Sequence, residues 1–214
     1  MLQGEERVET GQIIILNGAP RAGKSSISGA IQQTFDGVWM NLGVDAYARI
    51  TPPELLPGIG LRPGGERPDL EAFVSCFYAA LYESIATHSR LGLNVVADVG
   101  HHDAYSTPLQ ILPQCARRLA GLPVLFVGVR CPIDIILQRR AAAAEGAYVV
   151  ASKQDPLPLP VRRWQDEVHR PGIYDLEVDT SLLSPKDCAE AIRQRLAGGL
   201  ETLAFRTLAQ LPIG

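Results

Sequence analysis

Short runs of consecutive apolar residues alternate along the chain with longer stretches in which apolar positions recur every three or four residues. The runs are "IIIL" (13–16), "VWMNL" (38–42), "LNVVAD" (93–98), "LPVLFVGV" (122–129) and "YDLEV" (174–178), and they read as β-strands. The first, third and fourth are nearly unbroken, the pattern of strands buried on both faces of a parallel sheet. The periodic stretches predict helices over about 24–34, 69–89, 105–120, 132–144 and 185–197. Ser184 before Pro185 marks the start of the last. Alternation of strand and helix argues for an α/β fold with helices on both faces of a parallel sheet.

Two stretches break the pattern. Gly and Pro gather at 52–68, "PPELLPGIGLRPGGERP", and Pro again at 156–160, "PLPLP". Both read as loops too irregular to form an element. Loops over the carboxyl ends of strands are where such folds build substrate sites, so a substrate region and a flap are expected there, the flap spanning about 139–165. There is no internal repeat, and 214 residues suit a single domain (1–214) with its core at about 12–192.

Composition narrows the function classes. The chain is 46% hydrophobic and 20% charged, with a net charge of −3 and a pI near 5.8. Lys and Arg form no stripe, so nucleic acid is not an expected partner. Cys76, Cys115, Cys131 and Cys188 lie far apart with no C-x-x-C pair. That spacing suggests neither a zinc site nor a disulfide framework, and reduced thiols of a cytoplasm are the simpler reading. The first ten residues are charged where a signal peptide would be apolar, and no run approaches the roughly 18 apolar residues of a membrane span. A cytoplasmic protein without a membrane partner is expected.

The most informative segment follows the first strand. Gly18, Ala19, Pro20, Arg21, Ala22, Gly23, Lys24 and Ser25 fit G-x-x-x-x-G-K-[ST], with Ser26 opening the helix beyond. Glycine lets the backbone curl so that successive N–H groups face phosphate oxygens, and the helix amino end adds partial positive charge. Lys24 is expected to reach the β- and γ-phosphates and Ser25 to ligate Mg²⁺. Asp98, closing the third strand, has the position of an acid that steadies the magnesium shell; the alternative is a turn or cap aspartate.

Two classes use such a loop: a switch that hydrolyses the γ-phosphate and a kinase that transfers it. A guanine-reading switch wants N/T-K-x-D, and "SKQD" within 151–155 comes near it by chance; Asp98-Val99-Gly100 falls one residue short of D-x-x-G. A kinase wants a base for the acceptor hydroxyl. Asp45, at the end of the second strand, can be that base, or can cap the short helix that follows. It also wants cations on the γ-phosphate, and Arg139 and Arg140 stand on the helix after the fourth strand.

"IIILNGAPRAGKSSI", "LGVDAY", "LNVVADVG", "VLFVGVRCP" and "YDLEVDTS", in that order, resemble the chloramphenicol phosphotransferase group of P-loop kinases from about Gln12 to Ile192. The resemblance implies a P-loop nucleoside-triphosphate-binding three-layer sandwich with a five-stranded parallel sheet, like the nucleotide kinases. It further implies ATP and Mg²⁺ as cofactors and a small-molecule hydroxyl acceptor: chloramphenicol first, with another hydroxylated metabolite or antibiotic as runner-up. The family's catalytic aspartate maps onto Asp45, its loop lysine and serine onto Lys24 and Ser25, and its lid arginine onto Arg139 or Arg140.

The chain departs from the family where Ala97 replaces the first acid of a strand-end pair. It departs again where alanines replace a charged lid cluster, leaving Arg162 or Arg163 as the source of a second cation. The acceptor site implied lies between the loop after Asp45, the helix from Asp69 and "VGHHDAY". His101, His102 and Asp103 invite a metal reading, but no third ligand is suitably spaced, and a polar loop opening the next helix is expected. Phe73, Phe77 and Tyr78 fall on one helix stripe, available to stack on an aryl acceptor or to fill the core. Thr180 to Leu183 would flank the nucleotide base. The last 20 residues lie outside the resemblance, their apolar face free to pack on the core or on a second copy in a homo-oligomer.

Overall fold

The alternation is realised as five parallel strands in the spatial order β2-β3-β1-β4-β5. The computed structural model describes residues 9–143, 151–152, 154–199 and 201–213. The strands are β1 (Ile13–Asn17), β2 (Trp39–Asn41), β3 (Asn94–Val99), β4 (Val124–Arg130) and β5 (Leu176–Asp179). The helices are α1 (Lys24–Thr34), α2 (Val44–Ile50), α3 (Pro68–Arg90), α4 (Ile111–Arg118), α5 (Ile133–Ala141), α6 (Leu159–Glu167), α7 (Pro185–Ala197) and α8 (Ala204–Ala209).

Period-two alternation sorts the central strands between two apolar layers. Ile13, Ile15, Val95, Ala97, Val99 and Phe126 face α3, α4 and α8. Ile14, Leu16, Val96, Leu125 and Val127 face α1, α5, α6 and α7. The chain leaves β1 toward one layer and β3 toward the other, although β1 and β3 are adjacent and paired with Leu16 opposite Asp98. Connections that diverge in this way open a crevice beyond the carboxyl ends of the strands, where ligands of open α/β sheets bind.

The structure corrects several expectations. The helix expected over 105–120 is confined to Ile111–Arg118. The carboxylate of Asp103 accepts the amides of Leu109 and Gln110, both at 2.7 Å, and Gln110 has φ 51°, so the chain turns there instead of winding. The Gly/Pro stretch 52–68 holds two 3-10 turns, Pro53–Leu55 and Gly58–Gly60, and sends Ile59 and Leu61 into the core. "PLPLP" runs directly into α6, with Pro160 in its first turn, where a missing N–H costs nothing. The start at Ser184 is a complete capping box with Asp187.

The C-terminal segment packs on the core. Phe205 of α8 meets Phe126 edge to face at 5.0 Å and lies parallel to Tyr82 at 6.4 Å, while Arg117 holds the carbonyls of Ala209 and Leu211. Phe205→Ala is therefore expected to lower stability by about 3 kcal/mol, the usual cost of emptying a buried aromatic site. Urea unfolding of the two proteins checks it; a loss below about 0.5 kcal/mol would mean that α8 is merely draped on the surface.

Candidate active site at the phosphate loop

The loop between β1 and α1 is shaped by two left-handed residues, Gly23 (φ 100°) and Arg21 (φ 72°). Glycine takes such a conformation freely, but for arginine it costs on the order of 1–2 kcal/mol and persists only where neighbours impose it. Here a reciprocal clamp imposes it. Arg21 donates to the Arg139 carbonyl at 2.7 and 3.2 Å, and Arg139 donates back to the Arg21 carbonyl at 3.3 Å. Arg139 also donates to the Thr180 hydroxyl at 3.0 Å and carbonyl at 2.8 Å, and that hydroxyl donates to the Ala22 carbonyl at 2.6 Å. Arg139 is thus fastened to the outer side of the loop. Arg140, the next residue round α5, is buried and lines neither cavity described below.

Lys24 folds back so that its ammonium donates to the carbonyls of Gly18 and Ala19 at 2.8 and 3.0 Å. The side chain as a whole is half-buried. Desolvation pulls the ammonium down to about 8, opposed by the carboxylates of Asp98 and Asp45, so it remains mainly charged at neutral pH.

Across the crevice the Ser25 hydroxyl donates to Asp98 Oδ2 at 2.7 Å, and Asp98 is 8% exposed. Its carboxylate has room because residue 43 is glycine: a Cβ there would lie 2.0 Å from Asp98 Oδ1 and 2.7 Å from its carbonyl oxygen. Gly43 also begins α2, with no side chain capping that end. Asp45, in the first turn of α2, is exposed and faces the phosphate loop, so it does not cap the helix.

Two cavities meet at these residues. One of about 480 Å³ runs past Lys24, Ser25, Asp45, Arg139, Thr180 and Leu183. The other, about 180 Å³, is bounded by Lys24, Ser25, Asp45 and Asp98 together with the apolar walls Val44, Ile59, Val99 and Trp164. Larger hollows of about 760 and 540 Å³ lie at the opposite end of the sheet, by Val124 and Asn94, and bring no comparable set of charged groups together. Size therefore does not mark the site; the convergence of loop amides, lysine and carboxylates does.

"VGHHDAY" is not the polar loop expected of it. His101 is 1% exposed, stacks on Tyr78 at 4.6 Å and shares a 2.7 Å hydrogen bond with the Tyr82 hydroxyl. His102 donates from Nε2 to the Leu61 carbonyl at 2.8 Å. Tyr78 is therefore committed to the core, while Phe73 and Phe77 stack on each other beside Tyr47.

Burial pushes the imidazoles of His101 and His169 down, to about 3 and about 4, and lowers that of His102 as well. The folded protein stays unprotonated at His101 and His169 between pH 6.5 and those values, whereas the unfolded chain takes up protons. The stabilising contribution of the three imidazoles is complete above pH 6.5 and shrinks as pH falls, by up to about 1.4 kcal/mol per pH unit for the fully buried His101 and by less for the less deeply buried His102 and His169. Melting temperature is thus expected to fall from pH 6.5 to 4, and His101→Phe to flatten that dependence by one proton's worth. A slope unchanged in the variant would contradict this.

Three residues that shape the site were missed in the sequence. Gly43 carries no signal without the fold. Asn17 precedes the loop and is fully buried; its amide donates to the Val168 carbonyl and the Tyr174 hydroxyl and accepts the His101 amide. A polar residue ending an apolar strand was the one available hint. Trp164 lies on a helix that the pattern did not predict. Of the expected lid, residues 144–150 and 153 lie outside the described residues.

A family model described as chloramphenicol phosphotransferase-like protein matches residues 11–197. Two Mycobacterium tuberculosis proteins, from strains H37Rv and CDC 1551 and provisionally named O-phosphotransferases, are each 27% identical over 212 residues, covering 92% of this chain and 88% of their own. Among solved structures, M. tuberculosis APS kinase in complex with AMPPNP and APS aligns with a TM-score of 0.60 at 15% identity, over 88% of this chain and 98% of that one. Acinetobacter baumannii shikimate kinase with shikimate aligns at 0.58 and 14% identity, over 90% and 97%. A tunicamycin resistance protein from Deinococcus radiodurans aligns at 0.54 and 16% identity, over 90% and 98%. These likenesses carry the fold. No helix among the described residues is long and apolar enough to cross a membrane.

Proposed function

Since the chain belongs to the chloramphenicol phosphotransferase-like family and is a P-loop phosphotransferase acting on a hydroxyl, we propose that it transfers the γ-phosphate of ATP to a small alcohol, chloramphenicol being the first candidate, with Asp45 as base. The observation that carries this reading is the shared cavity: Asp45, Lys24, Ser25 and Asp98 line one small cleft between the phosphate loop and α2.

Loop amides and Lys24 hold the β- and γ-phosphates, the ammonium turning from the Gly18 and Ala19 carbonyls to phosphate oxygens. Asp45 accepts the proton of the acceptor hydroxyl as its oxygen forms a bond to the γ-phosphorus, the β–γ bridging bond breaks, and ADP carries away the electron pair. Thr180, Leu183 and Arg139 border the larger cavity, the space left for the base and ribose in this reading.

Mg²⁺ fits the residues present. Ser25 and Asp98 offer hard oxygen donors that already approach each other to 2.7 Å, and Mg²⁺ commonly takes only one or two protein ligands. Bound there with the nucleotide, it would neutralise charge on the phosphates.

The acceptor is tested by incubating the protein with γ-labelled ATP and a panel of chloramphenicol, other hydroxylated antibiotics and hydroxylated metabolites. Label is expected on chloramphenicol. Label on another alcohol alone would replace chloramphenicol while leaving the reaction class intact.

A further inference from the structure

We propose that Trp164 is the specificity-determining wall of the acceptor cleft, an indole that limits how bulky an alcohol can stand in front of Asp45. The proposal rests on the phosphoryl-transfer reading above. Trp164 is the one aromatic side chain lining the 180 Å³ cleft, among the described residues. An acceptor whose hydroxyl lies between Asp45 and the γ-phosphate must extend its remaining atoms along Val44, Ile59 and this indole. A space of that size takes about a single ring.

The indole is fixed from two directions. A Cβ at residue 100 would lie only 3.0 Å from Trp164 Cζ3 and 3.4 Å from Cη2, so the ring's far edge rests on the bare backbone of Gly100, two residues beyond Asp98. His102 meets the ring edge to face at 4.9 Å and 88°. His102 is itself held by the Leu61 carbonyl and by Tyr105 at 4.4 Å. The segment after β3 and the 3-10 segment before α3 thus both brace a side chain delivered by α6, a helix anchored in the core by Val161 and, just past its end, Val168. Trp164 is 6% exposed and packs within the core layer of α1, α5, α6 and α7, yet it also lines the cleft that contains the lysine and carboxylates of the site.

The test compares Trp164→Ala, Trp164→Phe and wild type with Mg·ATP, using 4-nitrobenzyl alcohol as the one-ring acceptor and chloramphenicol as the bulkier one. In Trp164→Ala the ratio of kcat/KM for the small acceptor to that for the bulky one is expected to fall at least tenfold. The change should arise mainly in KM, with ATP affinity unchanged and Trp164→Phe close to wild type. An unchanged ratio, or a loss shared equally by both acceptors, overturns the proposal.

A second measurement does not depend on turnover. The chain has two tryptophans, Trp39 and Trp164, so Trp39→Phe leaves Trp164 as the only indole emitter. With the non-hydrolysable analogue AMPPNP and Mg²⁺ present, titration with each alcohol is expected to change its emission saturably. No change with either alcohol overturns the proposal. A wild-type protein that phosphorylates no alcohol while its Trp164 emission still responds would instead count against the transfer reading.

Discussion

Asp45→Asn is expected to slow phosphoryl transfer by about 10²- to 10⁴-fold, the usual contribution of a positioned general base, while ATP affinity stays within about threefold of wild type. The substitution keeps the shape of the side chain and removes the proton acceptor. Asp45 is exposed at the start of α2 and bonds no cap position, so its loss should not unseat the helix. Its carboxylate also helps to keep Lys24 charged, against the desolvation that pulls that ammonium down to about 8. A small weakening of ATP binding above pH 8 is therefore consistent with the account. Steady-state kinetics with a saturating acceptor, combined with equilibrium ATP binding, checks both halves. Transfer at the wild-type rate would remove Asp45 from the chemistry, whereas loss of ATP binding would make it part of the nucleotide site.

Gly43→Ala is expected to act nearly as strongly by a different route. Its Cβ would stand 2.0 Å from Asp98 Oδ1 and 2.7 Å from the Asp98 carbonyl oxygen, closer than any real contact. The backbone of α2 or the carboxylate must move, and overpacking of this kind costs about 1–3 kcal/mol. Asp98 is paired with Ser25 and sits on the central pair of strands, so the end of β3 resists displacement and the carboxylate is the part that gives way. The Mg²⁺ concentration needed for half-maximal rate should rise at least tenfold, and the maximal rate should fall on the order of a hundredfold. Binding of ATP without metal should barely change. A variant with an unaltered Mg²⁺ requirement would show that Asp98 has no part in holding the cation.

Much of this architecture was legible in the residues. Near-continuous apolar runs placed β1, β3 and β4, because a strand buried on both faces has little choice of composition, while the shorter, partly exposed β2 and β5 showed as mixed apolar runs in the strand–helix alternation. The phosphate loop was legible because its geometry demands glycine and lysine at fixed spacing. What escaped was set by tertiary context. The Gly/Pro stretch looked structureless, yet Ile59 and Leu61 tie it to the core. The His101–His102 pair looked polar, but apart from Tyr105 its aromatic neighbours lie far away in sequence, on α3 and α6. Arg139 and Arg140 could not be told apart by sequence; one turns toward Thr180 and the loop, the other into the protein, because adjacent helical residues point about 100° apart. Gly43 and Gly100 matter through what crowds them, which no local pattern encodes.

The central claim is that the γ-phosphate leaves ATP for an alcohol oxygen. Phosphorus NMR of the protein turning over Mg·ATP with the acceptor panel tests it most directly. The expected result is a phosphomonoester signal that appears only with an acceptor, grows one for one with ADP, and is absent from Asp45→Asn. ADP and free phosphate forming at the same rate with and without acceptor, in wild type and variant alike, would contradict it.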